Sequence, residues 1–274
     1  MKENKSKLRG LFTFKRKDLC IPYAVFLVLF IIIPILIIVA YAFMDADGHF
    51  SFDALVSFFA TPNKTNVLIT SVFIAIQTTL LCLLIGYPLA YFLADKKVNK
   101  NAVLVTLFIA PMWINFVMRT WATRDLLYML GIDGGTHPYL ATSIGMVQNY
   151  LPFVILPLYT TMLKLDKSQI EAAADLGANP VQVFFKNIVP QSIPGIAAAA
   201  TMTFMPTMSS YVISDVLSEY KITLFGNYIH LDFSSSLWND GAFMAVIMLI
   251  LVGLTMLISS RFEKKTEVRG GQLW

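Results

Sequence analysis

Charged residues are scarce in this chain of 274 residues: 14% are charged, whereas 57% are hydrophobic. Soluble domains usually carry about a quarter charged residues, so the composition argues against one or two ordinary soluble domains. There are only two cysteines, Cys20 and Cys82, and they suggest neither a disulfide framework nor a metal site. No GxxxxGK[ST] phosphate-binding segment occurs. We therefore do not expect this chain to hydrolyse nucleotides, and we assign it no catalytic or metal-binding residues.

The hydrophobic residues are gathered in long runs rather than spread at amphipathic spacing. A helix needs about 20 predominantly apolar residues to cross a bilayer. The runs that reach or approach this length lie at 21–44, 67–94, 102–118, 139–163, 194–217 and 241–260. The third run is short and contains Pro111 and Asn115. We therefore predict an all-α integral membrane protein with six transmembrane helices.

The distribution of basic residues predicts the orientation, because lysine and arginine are retained on the cytoplasmic side of a membrane. With the N-terminus in the cytoplasm, 17 of the 21 Lys and Arg residues fall in cytoplasmic segments. Both termini are therefore expected inside. The predicted regions are a basic N-terminal segment over 1–20, a transmembrane domain over 21–263 and a tail over 264–274. The outer loops would then be 45–66, 119–138 and 218–240.

The inner connection over 164–193 has helical patterning of its own. Ser168 and Glu171 have the spacing of a capping box at the start of a short helix. Gly177 can adopt the left-handed conformation that ends this helix. Asn179 and Pro180 supply an N-cap and a first-position proline for a second short helix.

The second of these short helices has one apolar face, formed by Val181, Phe184, Phe185 and Ile188. A face of this kind needs something to cover it. It indicates either an amphipathic helix that lies on lipid headgroups or a helix that enters a groove on a cytoplasmic partner. The pattern alone does not choose between the two.

The same connection resembles the EAA loop of ABC importer permeases. The resemblance is carried by Glu171, Ala172, Ala173, Gly177 and Pro190, whereas Asn187 and Val189 depart from the family pattern, which has isoleucine and leucine there. In that family the loop is generally the surface on which the ATPase subunit docks. The resemblance implies an ATPase-docking surface made of Glu171, Ala172, Ala173, Asp175 and Gly177.

Further segments resemble the spermidine/putrescine importer permeases, and the first (B-type) of their two membrane subunits in particular. These segments lie at 85–88, 111–113, 157–159, 165–167, 175–178, 193–196 and 211–215. The resemblance implies the type I ABC importer permease fold in a bacterial inner (cytoplasmic) membrane. It also implies a second, different permease, an ATPase dimer that binds ATP and Mg²⁺, and an extracytoplasmic polyamine-binding protein. This chain itself would need no cofactor and would contact membrane lipid but no nucleic acid.

A pathway for polyamines should offer carboxylates, carbonyl oxygens and aromatic faces to the ammonium groups. Asp215 follows a polar stretch at the outer end of the fifth run, and ionisable residues in membrane spans are costly and hence functional candidates. Tyr211, Ser209, Trp113 and Asn115 are further candidates for lining the pathway. The choice between spermidine and putrescine stays open at this point.

Three alternatives remain beside this interpretation. The permease could carry another small organic cation or an amino-acid-like solute. A proton-coupled transporter without an ATPase would need Asp, Glu or His in the middle of the spans, where this sequence has almost none. An intramembrane enzyme would need grouped polar residues there, and no such group is present in the sequence.

Overall fold

The computed structural model describes residues 20–45, 47–95 and 103–270, with side chains described as far as Arg261. Within these ranges the chain is helical, and its only β-type pairing is an isolated bridge between Met44 and Phe50. Most of the predicted segment 1–20, the last part of the tail and the basic turn after Asp95 lie outside the described residues.

The helices follow one another in the order Cys20–Ala42 (α1), Asp53–Ala60 (α2), Pro62–Ala94 (α3), Val103–Trp113 (α4), Phe116–Met129 (α5), Pro138–Met162 (α6), Lys167–Asp175 (α7), Pro180–Ser209 (α8), Val212–Ser218 (α9), Phe225–Ser234 (α10) and Trp238–Gly270 (α11). Five of them, α1, α3, α6, α8 and α11, are long and apolar enough to cross a membrane. The bent pair α4–α5 makes a sixth span if it is counted as one. The prediction of an all-α membrane protein is confirmed.

The centre of the bundle is formed by α3, α6 and α8, which pack against one another. Cys82, Val154 and Ala199, one from each helix, are fully buried where the three meet. Gly195 allows the close approach of α8 to α6, because a Cβ atom at this position would lie 2.5 Å from Thr161 Oγ1. Small residues serve membrane helices in this way, since packing rather than the hydrophobic effect holds them together.

The prediction of one short third span over 102–118 is wrong, because the chain turns by 97° between α4 and α5. Ile114 is extended at the break, and Asn115 starts the new helix by accepting a hydrogen bond from Val117 N at 2.9 Å. Asparagine is a preferred N-cap residue because its side chain satisfies an otherwise unpaired amide. The segment from 119 onward therefore begins as a helix rather than as an outer loop.

The fifth run also differs from its predicted bounds of 194–217. Helix α8 begins at Pro180, ends at Ser209 and is followed by the separate short helix α9. The second short helix expected in the inner connection is therefore the first part of a long membrane helix. A π-helical stretch, Phe184–Ile188, lies just before Pro190. Proline interrupts ordinary α-helical hydrogen bonding, and a local change of helical register accommodates it.

A buried ion-pair group joins α3, α10 and α11 at the end of the bundle opposite α7. Lys64 Nζ lies 3.0 Å from Asp240 Oδ2 and 3.9 Å from Asp232 Oδ2. The Lys64 and Asp232 side chains are each only 10% exposed. Burial raises the pKa of Asp232 and the charge of Asp240 raises it further, while Lys64 acts in the opposite direction.

Replacing Lys64 with methionine is expected to destabilise the fold, because it leaves two neighbouring carboxylates without their cation. Breaking a buried pair in this way costs about 3–5 kcal/mol. A carboxyl group whose pKa is raised in the folded state destabilises the fold as the pH rises and the group ionises. The loss of stability caused by K64M should therefore shrink as the pH is lowered below neutrality.

The thermal unfolding midpoint of the detergent-solubilised protein measures this effect across a pH series. The matched control is Lys186→Met, which removes an exposed lysine. Equal midpoints for the two variants at neutral pH would show that the Lys64 group does not stabilise the fold.

Candidate functional site

A cavity of about 550 Å³ opens beside the break between α4 and α5. The break, the middle of α6 and the link from α8 to α9 form its walls. The lining residues are Met112, Trp113, Ile114, Asn115, Phe116, Arg119, Asn149, Tyr150, Phe153, Pro206, Ser209, Ser210, Tyr211, Val212 and Ile213. Two interrupted helices thus face each other across one space.

Aromatic rings supply much of the cavity wall. Trp113, at the end of α4, is 79% exposed, and the ring of Tyr211 is stacked on that of His230 with centroids 4.9 Å apart. Tyr150 Oη donates a hydrogen bond to the carbonyl oxygen of Pro206 at 3.1 Å. Aromatic faces and carbonyl oxygens are the surfaces that attract organic cations without burying a charge.

Arg119 is one of the cavity residues that the sequence-based assignment missed. Its Nε donates to Asn149 Oδ1 at 2.8 Å, and its two terminal nitrogens donate to the carbonyl oxygens of Pro111 and Asn149 at 2.8 and 3.2 Å. Asn149 is 1% exposed and donates in turn to Gly145 O. The guanidinium therefore ties the break to α6. The sequence signals that could have identified it were Pro111 and Asn115. They interrupt the helix, and the first turn of the next helix, which contains Arg119, then packs against the bundle.

Four of the five predicted pathway residues lie together on the cavity wall, namely Trp113, Asn115, Ser209 and Tyr211. Asp215 is not among the lining residues. It lies in α9 and accepts a hydrogen bond from Asn227. Burial raises the pKa of Asp215, although the hydrogen bond from Asn227 and the charge of His230 oppose this shift. The assignment of these residues to a substrate pathway stays a prediction.

The inner connection begins differently from its prediction. The N-cap of α7 is Asp166, whose side chain accepts from Ser168 N at 3.0 Å and from Gln169 Nε2 at 3.0 Å. The predicted capping box of Ser168 and Glu171 is therefore wrong, because a carboxylate two residues earlier already satisfies the first turn. The side chain of Glu171 is exposed and is left free of any capping role.

The end of α7 and the start of α8 have the predicted local geometry. Gly177 has φ +82°. The amide of Gly177 donates to Ala174 O at 2.9 Å and that of Ala178 to Ala173 O at 3.1 Å, which is the Schellman pattern of a helix end. Asn179 and Gln182 form a reciprocal capping box at 2.8 and 3.1 Å. Both predicted helix boundaries are confirmed.

The apolar face predicted for the second helix is divided between the bundle and the surface. Ile188 is buried, and Phe184 packs edge-on against Tyr87 and Tyr91 of α3 with centroids 5.6 and 6.1 Å apart. Val181 and Phe185 remain 66% and 64% exposed. Part of this face is therefore covered by α3 within the chain itself, and the alternatives of lipid headgroups and a partner groove apply only to its exposed part.

Amide side chains attach α7 to α8. Asn187 Nδ2 donates to Gln169 O at 3.2 Å, and Gln191 donates to both Asn187 and Gln169. Asn187 is one of the two departures from the EAA-loop pattern. Here the departure forms a contact that orients α7, with Ala172 and Asp175 on its exposed surface and Ala173 half-buried. Among the residues that the structure describes, no three His, Cys, Asp or Glu side chains are grouped to hold a metal ion.

The chain is similar to several curated permeases along most of its length, whereas no protein-family model matches it. It is 34% identical over 269 residues to the spermidine/putrescine transport system permease protein PotB of Escherichia coli K12, which covers 88% of this chain and 97% of the relative. It is 32% identical over 265 residues to PotB of Haemophilus influenzae, with 87% of this chain and 90% of the relative covered.

Solved ABC transporters share the fold. A bacterial transporter for the acidic polysaccharide alginate superposes with a TM-score of 0.69 at 15% identity, covering 89% of this chain and 94% of the other. An amino acid ABC transporter solved with histidines gives a TM-score of 0.56 at 18% identity, with 77% and 97% covered. These likenesses show that the helices have the arrangement of ABC importer permeases.

Gly177→Ala should loosen the end of α7, because the left-handed conformation costs an L-residue about 1–2 kcal/mol. Hydrogen exchange at the amides of Gly177 and Ala178 is expected to accelerate by about tenfold. Gly253→Ala is the matched control, since Gly253 lies in a helix with open space around its Cα and no positive φ. Unchanged exchange in the Gly177 variant would contradict the Schellman end of α7.

Proposed function

This chain belongs to the spermidine/putrescine permease family of ABC importers, and we propose that it forms one half of a polyamine pathway across the cytoplasmic membrane. In this proposal a second, different permease forms the other half. The observation that carries the proposal is the aromatic cavity between two interrupted helices, in a chain that aligns with PotB over 97% of that relative. The chain is a multi-pass, non-catalytic permease subunit, so an ATPase must supply the energy.

The chemistry of the cavity suits an extended, multiply charged amine. The rings of Trp113 and Tyr211 offer cation–π surfaces, and the cavity is lined by hydroxyl and amide groups that can accept hydrogen bonds from ammonium. Among the described residues, no carboxylate lines it. Such a site holds a cation weakly, which suits a pathway because a transported solute must leave as readily as it enters.

The connection between α6 and α8 is the proposed ATPase-docking surface. Leu176, Val181 and Phe185 are 89%, 66% and 64% exposed, so this end of the molecule offers large apolar side chains to a partner. The charges of Glu171 and Asp175 flank them on exposed positions. A groove on an ATPase subunit could take this helix pair. The amide contacts of Asn187 and Gln191 hold α7 against α8, so a force on the loop would reach the membrane helix directly.

This assignment sets the orientation of the molecule in the membrane. The docking surface faces the cytoplasm, as do both termini. The end of the bundle with α2, α10 and the Lys64 ion-pair group faces outward. An extracytoplasmic polyamine-binding protein would deliver its ligand at that end, and one solved structural neighbour is described with a substrate-bound periplasmic protein.

One observation favours a second candidate solute. Arg119 places a guanidinium on the cavity wall, and guanidinium binds carboxylates well. An amino-acid-like solute could use it. Three hydrogen bonds to Asn149 and Pro111 already engage this group, which favours the amine over the amino acid.

Reconstitution in proteoliposomes tests the proposal. The complete complex, with its ATPase, second permease and binding protein, should accumulate labelled spermidine or putrescine only when ATP is supplied. Competition by excess unlabelled amino acids should be absent. Uptake driven by a proton gradient without the ATPase, or uptake abolished by amino acids but not by polyamines, would overturn the proposal.

Trp113→Ala should lower polyamine uptake by about tenfold, because a cation–π contact contributes about 0.5–2 kcal/mol. Trp121→Ala is the matched control, since Trp121 is also an exposed tryptophan of the bent pair but does not line the cavity. Uptake is measured at equal amounts of assembled complex. Equal losses in both variants would remove Trp113 from the pathway.

A further inference from the structure

Arg119 carries a positive charge on the wall of a cavity that is proposed to pass cations. Its three hydrogen bonds all go to neutral acceptors, two carbonyl oxygens and one side-chain amide. The ion pairs found among the described residues involve Lys64 and not Arg119. No acidic side chain in the described part of the chain lines the cavity. The charge of Arg119 is therefore not neutralised within the cavity.

The charge is also fixed in place. Asn149, which receives two of the three hydrogen bonds, is buried and is itself held by Gly145 O at 2.9 Å. The third bond goes to the carbonyl of Pro111 on the other side of the break. The guanidinium cannot turn away from the cavity without losing these contacts. A cation that enters the cavity therefore comes close to a positive charge whose position is fixed.

Helix stability alone does not account for a cation at this position. Arg119 lies in the first turn of α5, where the helix dipole disfavours positive charge. All three acceptors are neutral, so hydrogen bonding to them does not by itself require a charged donor. The hydrogen bonds of Arg119 therefore do not explain why this position carries a positive charge.

We propose that Arg119 is a specificity-determining residue that limits, by repulsion, how much positive charge the cavity accepts. This inference rests on the proposed function and refines its substrate class. Trp113 and Tyr211 attract an ammonium group, whereas Arg119 repels each further one. Spermidine has three ammonium groups and putrescine two, so repulsion disfavours spermidine more strongly. The chain thereby favours the divalent amine at the step of membrane passage.

The test compares uptake efficiency for spermidine and putrescine, with both supplied on the same saturating binding protein. Arg119→Gln removes the charge and keeps an amide donor. It should raise the spermidine-to-putrescine ratio by about twofold to thirtyfold, as expected for unit charges about 8 Å apart at effective dielectric constants of about 20–80. Arg119→Lys keeps the charge but loses the planar fork, so its ratio should stay like that of the parent.

A second variant covers the case in which Arg119→Gln does not assemble. Asn149→Asp places a carboxylate where Asn149 Oδ1 now accepts from Arg119 Nε at 2.8 Å. The guanidinium is then neutralised in position, and the ratio should rise as it does in Arg119→Gln.

Two results would overturn the inference. One is an unchanged ratio in both Arg119→Gln and Asn149→Asp, and the other is a ratio that shifts equally in Arg119→Lys. Either would show that Arg119 only holds the helix break together. Absence of polyamine uptake by the parent complex would instead defeat the proposed function, so the two failures are distinguishable.

Discussion

A helix that is interrupted inside a membrane leaves backbone groups that water cannot reach, and these groups must find partners within the protein. In this chain the guanidinium of Arg119 is one of these partners. It bonds the carbonyl of Pro111 at the end of one half of the third span and both oxygens of Asn149 on the neighbouring helix. The 97° turn between the two halves can therefore persist beside the bundle. The cavity lies beside this turn, between the break, the middle of α6 and the link from α8 to α9.

The remaining architecture divides into a closely packed centre and two attached ends. The helices α3, α6 and α8 form the centre, where small residues such as Gly195 permit close approach. One end carries the helix pair α7–α8 with its exposed apolar side chains, and the other carries the ion-pair group of Lys64. Helix α8 starts at the proposed docking surface and ends at the cavity. In the proposed function, this single long element would transmit movement from the ATPase partner to the proposed pathway.

Much of the fold was predictable, because long apolar runs report directly on membrane helices. The boundaries at Gly177, Asn179 and Pro180 were predictable too, since left-handed glycine and N-cap chemistry are local. The break in the third span was not predicted, although Pro111 and Asn115 signalled it. The mean hydropathy of a run contains no information about a change in the direction of the helix axis. Arg119 was assigned to an outer loop for the same reason.

The cap at Asp166 was missed because the pattern of Ser168 and Glu171 fits the same rule equally well. Only the three-dimensional structure shows which side chain reaches the amide. The covering of Phe184 by Tyr87 and Tyr91 depends on tertiary contacts that no local pattern contains.

The proposed polyamine pathway runs beside the interrupted third span, against the aromatic wall of the cavity. A cryo-EM map of the assembled complex, stalled with its ATPase in one state and saturated with spermidine, tests this directly. We expect elongated ligand density in contact with Trp113 and Tyr211, with the chain of the amine turned away from Arg119. Ligand density on another face of the bundle, or a cavity filled by side chains of the second permease in every state, would contradict it.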